Sequence, residues 1–90
     1  MNLENVIFTD NLPTIDLHGM DRLYAKIKIN EFINDNKKMK NSIIVIIHGR
    51  GSGILKNETI NTLKNNKNVL EYRLFYNNIG MTLVRIKIDK

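Results

Sequence analysis

The run SIIVIIH, residues 42 to 48, constrains this chain more than any other stretch. Isoleucine and valine follow one another without the polar alternation of a half-buried strand, between turn-forming residues on both sides. That length and composition predict a strand buried on both faces, as at the centre of a parallel sheet. It ends in a histidine, and the loop GRGSG follows at once. The segment after the loop, ILKNETINTLKNN, carries Leu55, Thr59, Ile60 and Leu63 at helical spacing.

Other elements fall around this strand. Pro13 introduces TIDLHG, a short alternating strand bounded by Gly19. Asp21 is a fitting N-cap for RLYAKIKINEFINDNKK, where Leu23, Tyr24, Ile27, Ile29, Phe32 and Ile33 fall near helical spacing, Ile29 widening the stripe. VLEYRLF and TLVRIKI read as two further strands joined by the turn-rich YNNIG. In the last strand Val84, Ile86 and Ile88 alternate with Leu83, Arg85 and Lys87, giving one apolar and one basic face. The order is β-α-β-α-β-β. Helical crossovers make the first three strands mutually parallel, and the short connector makes the last two a hairpin. The expected fold is a single two-layer α/β sandwich, a mixed four-stranded sheet with both helices on one face. Residues 1–12 lack periodicity and are expected to form a flexible N-terminal arm, with the domain proper at 13–90.

Ninety residues suffice for one modest core, and 42% hydrophobic with 26% charged residues is the balance of a soluble globular chain. The absence of cysteine rules out disulfides and thiolate metal sites and suits a reducing cytosol. No apolar run reaches the roughly 18 residues of a spanning helix, and the N-terminus has no signal-peptide pattern. A cytoplasmic protein without membrane association is expected. Charge is unevenly spread. Residues 1 to 21 hold four acids and no Lys or Arg, so the remainder carries all 14 bases against five acids. A basic body of that size attracts polyanions, nucleic acid first among them, although lysines that merely keep a small chain soluble give the same pattern.

Both histidines of the chain precede glycine, and each pair follows an apolar run. In a parallel sheet the strand C-termini lie along one edge, where open α/β sheets bind ligands, so His18 and His48 converge if their strands are neighbours. The period of two places Asp16 and His18 on one face. Gly49, Gly51 and Gly53 permit positive φ and close approach of backbone to a ligand. The following helix offers free N–H groups to an anion, and Arg50 and Lys56 add positive charge. A nucleic-acid phosphate fits this description. Either histidine suits general acid–base work, Asp16 suits orienting a histidine or binding a metal, and Arg50 suits stabilising a phosphorane-like transition state.

Other chemistries fit less well. GRGSGILK lacks the G-x-x-x-x-G-K-[ST] of a Walker A loop, and Ile54 stands where G-x-G-x-x-G needs its last glycine. Ser52 has no G-x-S-x-G context for a nucleophile. A divalent metal on Asp16, His18 and His48 stays open as an alternative, without any dense ligand cluster in the sequence to support it. Tyr24, Phe32 and Phe75 read as packing, while Tyr72 and Tyr76 are free to stack a base.

IDLHGM, then IIHGRGSGILK about 30 residues later, then GMTLVRI, together closely resemble the Smr (small MutS-related) domain over residues 14 to 88. The resemblance implies a two-layer α/β fold similar to the C-terminal domain of translation initiation factor three. It also implies nucleic-acid binding and, as in several members, endonuclease activity that nicks DNA or cleaves RNA, with links to messenger RNA on stalled ribosomes or to DNA repair and recombination. Its D-x-H falls on Asp16 and His18, with Gly19 following. Its second motif falls on His48, Gly49, Gly51 and Gly53, with Arg50 at a variable basic position and Ser52 and Lys56 beside it. Ile15 replaces the usual leucine. The glycine-rich segment before the last strand is reduced to Asn77, Asn78, Ile79 and Gly80, Gly80 alone being retained. The resulting expectation is an endonuclease with Asp16, His18, His48 and Arg50 as catalytic residues. Gly19, Gly49, Gly51, Ser52, Gly53, Lys56 and Gly80 would hold the phosphate. The rival is a non-catalytic adaptor for nucleic acid or the ribosome, favoured by the reduced glycine segment; a small-molecule phosphate or nucleotide site is the third reading.

Overall fold

The computed structural model describes Leu3, Thr9, residues 11–75 and residues 78–89. It contains β1 (Thr14–Asp16), α1 (Arg22–Lys38), β2 (Ile43–Ile47), α2 (Ile54–Lys64), β3 (Val69–Phe75) and β4 (Asn78–Ile86). The mixed four-stranded sheet has the order β1-β2-β4-β3. β1 pairs with β2 in parallel, with Asp16 opposite Ile47. β4 is antiparallel to both β2 and β3, so the first three strands run the same way and the last is inserted between two of them. The α/β sandwich expected from the sequence is the fold observed.

β2 shows why its run of branched residues has no polar alternation. Ile44 and Ile46 pack with Leu17, Val84, Ile86 and the helix residues Ala25, Ile29, Ile33 and Leu63. Ile43 and Val45 face the other way, into a second cluster with Leu3, Phe75 and Leu83, flanked by Leu12. Both helices therefore cover one face, and residues from the N-terminal segment cover part of the other. Most of the arm expected at 1–12 lies outside the described residues; within it, Leu3 is buried.

Three details depart from the sequence reading. On α1 the buried stripe is Ala25, Ile29, Ile33 and Asn36, whereas Leu23, Tyr24 and Ile27 are 68%, 47% and 48% exposed. Two apolar rows with i,i+4 spacing compete on this helix, and the core takes the row that begins at Ala25. Tyr24 is thus a surface residue, with the Lys28 ammonium 5.3 Å from its ring centroid. β4 starts at Asn78 instead of Thr82, because Asn78 already pairs with Phe75. Tyr76, considered for base stacking, lies outside the described residues. Finally, Leu83 joins the second cluster, so the basic face of β4 is apolar at its centre.

α1 ends at a strained position. Lys40 has φ 64°, the left-handed region that helix ends usually give to glycine. Buried Asn36 closes the turn, donating to the Phe32 carbonyl at 2.9 Å and accepting from Asn41 Nδ2 at 2.9 Å. The left-handed conformation costs a residue with a Cβ about 1–2 kcal/mol. Glycine's extra unfolded-state entropy offsets about 0.4–1 kcal/mol of that. Lys40→Gly is therefore expected to stabilise the fold by roughly 0.5–1 kcal/mol in urea unfolding; a loss of stability would show that Lys40 is not strained.

Candidate nucleic-acid interface

The parallel pairing of β1 and β2 sets their C-terminal ends side by side, with Leu17 N–H donating to the Ile47 carbonyl at 2.8 Å. The chain leaves both strands through His-Gly into helices that start at the same edge. An open cleft of about 690 Å³ lies there, lined among others by Asp16, His18, Arg22, His48, Arg50 and Ser52. Both HG pairs line this one cleft.

Its two histidines differ completely. His18 is exposed. Asp16 holds it through the backbone, one carboxylate oxygen accepting from the His18 N–H at 2.9 Å, so the imidazole itself is left to the solvent side. His48 is only 5% exposed. Its Nδ1 lies 3.0 Å from the Gly49 carbonyl, which only accepts, so this nitrogen carries the proton and donates. Its Nε2 lies 2.8 Å from the Thr82 hydroxyl and accepts from it. Burial pushes the His48 pKa below its ordinary value; the positive charge of Lys56 adds to this, while the Gly49 carbonyl opposes it. With both nitrogens engaged and the neutral form favoured, His48 is not placed for the acid–base role expected of it. It holds the loop.

Gly53 is the N-cap of α2 at φ 87°, and no side chain caps the helix. The first N–H groups of α2 thus face the cleft, where Gly53, Ile54 and Leu55 are part of the lining. α1 is different: the Asp21 carboxylate accepts from Tyr24 N–H and caps it. Gly49 also has positive φ, 82°, but Gly51 does not and has open space around its Cα, so its conformation does not require glycine. Gly80 lies behind the loop and outside the cleft lining. Its carbonyl accepts from His48 N–H at 2.9 Å and Gly49 N–H at 3.0 Å, and a Cβ there would come tightly against Asn78 Oδ1, at 3.2 Å, and touch the Gly49 backbone at 3.4 Å. Lys56 is half-buried and also outside the lining; it acts on the site through charge.

The exposed side chains of Arg50 and Arg22 bring two guanidinium groups to the cleft. Arg22 stands 3.7 Å from the Glu58 carboxylate on α2, which also accepts from Thr62. Arg22 and Thr82 escaped the sequence reading. Arg22 had a signal, as the first residue after an N-cap beside an HG pair; Thr82 had a weak one, as a hydroxyl in an otherwise apolar strand. Among the described residues no three His, Cys, Asp or Glu side chains group as a metal site, and with His48 committed the set Asp16, His18 and His48 does not fit one. Nor is any helix among the described residues long and apolar enough to cross a membrane.

The residues that build this cleft fall within a match to a known family. A family model described as the Smr domain matches residues 15–87. The endonuclease MutS2 of Clostridium kluyveri is 32% identical over 77 residues, covering 82% of this chain and 10% of its own length. That of Clostridium acetobutylicum is 32% identical over 90 residues, 97% of this chain and 11% of its own. The chain thus spans about a tenth of the length of the curated relatives it matches. Among solved structures, the Smr domain of Thermus thermophilus MutS2 superposes with TM-score 0.81 at 20% identity, over 84% of this chain and 99% of that one. YdaL, a stand-alone small MutS-related protein from Escherichia coli, gives 0.78 at 17% identity, over 82% and 63%.

Proposed function

From the premise that the chain belongs to the Smr domain family, we propose that it is a nucleic-acid-binding endonuclease that breaks RNA or DNA phosphodiester bonds in this cleft. One observation carries the proposal: an exposed imidazole, two guanidinium groups and an uncapped helix N-terminus open onto the same cleft. The N–H groups of α2 and the loop take the phosphate, since a helix N-terminus favours anions. Arg50 and Arg22 neutralise its oxygens and stabilise charge that grows as the phosphorus becomes five-coordinate. His18 takes the proton from the attacking hydroxyl, that of water or of an RNA 2′-carbon, or gives one to the leaving oxygen. Asp16 fixes where His18 stands. In a cytoplasmic setting the same chemistry serves messenger RNA on stalled ribosomes or DNA in repair and recombination.

A specific observation favours a second reading. With His48 committed to the loop, the cleft offers one free imidazole, whereas cleavage calls for a proton acceptor and a proton donor. A non-catalytic module that clamps nucleic acid or the ribosome needs only the phosphate loop and the arginines. The deciding experiment is incubation of purified protein with labelled single- and double-stranded RNA and DNA, with and without EDTA. Cleavage establishes the enzyme and names its substrate; tight binding without cleavage establishes the clamp.

Both readings share an electrostatic consequence. Replacing Arg22 and Arg50 by Ala is expected to flatten the dependence of log affinity on log salt by about 1.4–1.8, roughly 0.7–0.9 for each phosphate no longer neutralised. Fluorescence anisotropy with a labelled oligonucleotide between low and moderate salt measures it. An unaltered slope would place the nucleic acid elsewhere on the protein.

A further inference from the structure

β4 sends alternate side chains to the two cores. Thr82 pairs with Ile46 and shares its helix-facing row with Val84 and Ile86, both in the main apolar cluster. A valine there would match its neighbours in shape and leave no polar atom to satisfy. Yet the chain has a hydroxyl at 0% exposure, and a buried hydroxyl is costly unless it is hydrogen-bonded. Its partner is His48 Nε2 at 2.8 Å.

The bond has an effect further along. The Gly49 carbonyl can only accept, so the neutral ring carries its proton on Nδ1, and the Thr82 hydroxyl donates to the bare Nε2 and steadies the ring in that pose. Gly49 N–H is meanwhile held by the Gly80 carbonyl at 3.0 Å. The residue is fixed at both its ends. Because a trans peptide is planar, its C=O and the next N–H point in opposite directions. Pinning the Gly49 carbonyl on the buried ring therefore turns the Arg50 N–H outward, to the exposed side of the loop where Arg50, Gly51 and Ser52 lie.

We propose that Thr82 is a positioning residue: through the His48 imidazole it locks the Gly49 peptide so that the Arg50 N–H is presented to a bound phosphate. The last step of this relay rests on the phosphate-binding reading of the cleft; the lock itself does not. Thr82 touches no ligand. It acts through a neutral histidine that serves as a rigid two-ended spacer, and a serine in its place retains the donor that a valine lacks.

The test is ¹⁵N NMR of the imidazole rings in the full chain, combined with amide exchange and binding of a labelled single-stranded oligonucleotide. Wild type is expected to show His48 protonated on Nδ1 and bare on Nε2. In Thr82→Val the Nε2 resonance moves downfield as its donor is removed, and exchange of the Gly49 amide, held by the Gly80 carbonyl, and oligonucleotide Kd each rise about fivefold or more, as for one missing hydrogen bond. Thr82→Ser restores wild-type values, and the exposed His18 ring, which has no bond to Thr82, is the internal control. A wild-type His48 protonated on Nε2, or a Thr82→Val protein with unchanged ring and Gly49 exchange, overturns the lock. If wild type binds no oligonucleotide, the phosphate reading falls while ring and exchange data still decide the lock. If Thr82→Val does not fold, the wild-type tautomer and the Thr82→Ser ring shifts decide it.

Discussion

Cleavage by His18→Ala is expected to be about 10²–10⁴-fold slower than by the wild type, the usual contribution of a positioned acid or base. Affinity for the same strand should stay within about threefold, because an interaction made only in the transition state can be removed without loss of ground-state binding. The side chain is exposed and its place is set from the backbone by Asp16, and in the proposed mechanism the loop and the two arginines bind the phosphate. Single-turnover cleavage and anisotropy, measured on both proteins from identical preparations, give the two numbers. Unchanged cleavage would remove His18 from the mechanism. Equal losses in rate and affinity would make it a phosphate ligand instead.

His48→Ala is expected to act mainly on the fold. Truncation leaves the Gly49 carbonyl and the Thr82 hydroxyl without a partner and opens a cavity behind the loop. Together these should cost about 2–4 kcal/mol, read from the urea midpoint. That is a large part of the roughly 5–15 kcal/mol typical of a domain. The pH dependence of stability separates this role from simple packing. His48 is held below its ordinary value of 6.5 in the folded state, chiefly by burial. As pH falls through about 6.5, the unfolded chain takes up a proton that the folded chain refuses, so stability declines until the depressed folded pKa is passed. Wild type should show this decline on going from about pH 7.5 to 5 and His48→Ala should lack that share of it. Parallel stability–pH curves for the two proteins would contradict the buried, neutral histidine.

How far these features could be read from the sequence depended on whether a local pattern specified them. SIIVIIH admits few environments, so the central strand and its two-sided burial were visible in advance. The two HG pairs announced the cleft because parallel strands end on the same edge. Asp21 marked the start of α1 to the residue. Periodicity was silent on which of two apolar rows faces the core, since Leu23 and Ile27 have the same spacing as Ala25 and Ile29. It was equally silent on the insertion of β4 between β2 and β3, which is a matter of long-range pairing. The division of labour between the histidines was hidden for a related reason. His48 is bonded to Thr82 and Gly80, 34 and 32 positions away, and nothing in HGRG distinguishes a ring that faces solvent from one that faces a strand. Gly51 shows the opposite error: a glycine within a patterned loop invites a conformational reason that its φ does not require.

The central place of β4 has a consequence during synthesis. It is the last strand of the domain to be made, and β1–β2 and β3 share no backbone ladder until it arrives. Gly80, which holds His48 and Gly49, and Thr82, which holds the ring, both reach the fold with it. Up to that moment a nascent chain carries the histidines, the arginines and the glycine loop without the β4 contacts that hold the loop. A domain whose proposed work is cutting nucleic acid thus gains the anchor of its loop only when its own translation has passed the final strand, and a chain cut short before residue 78 stays without it.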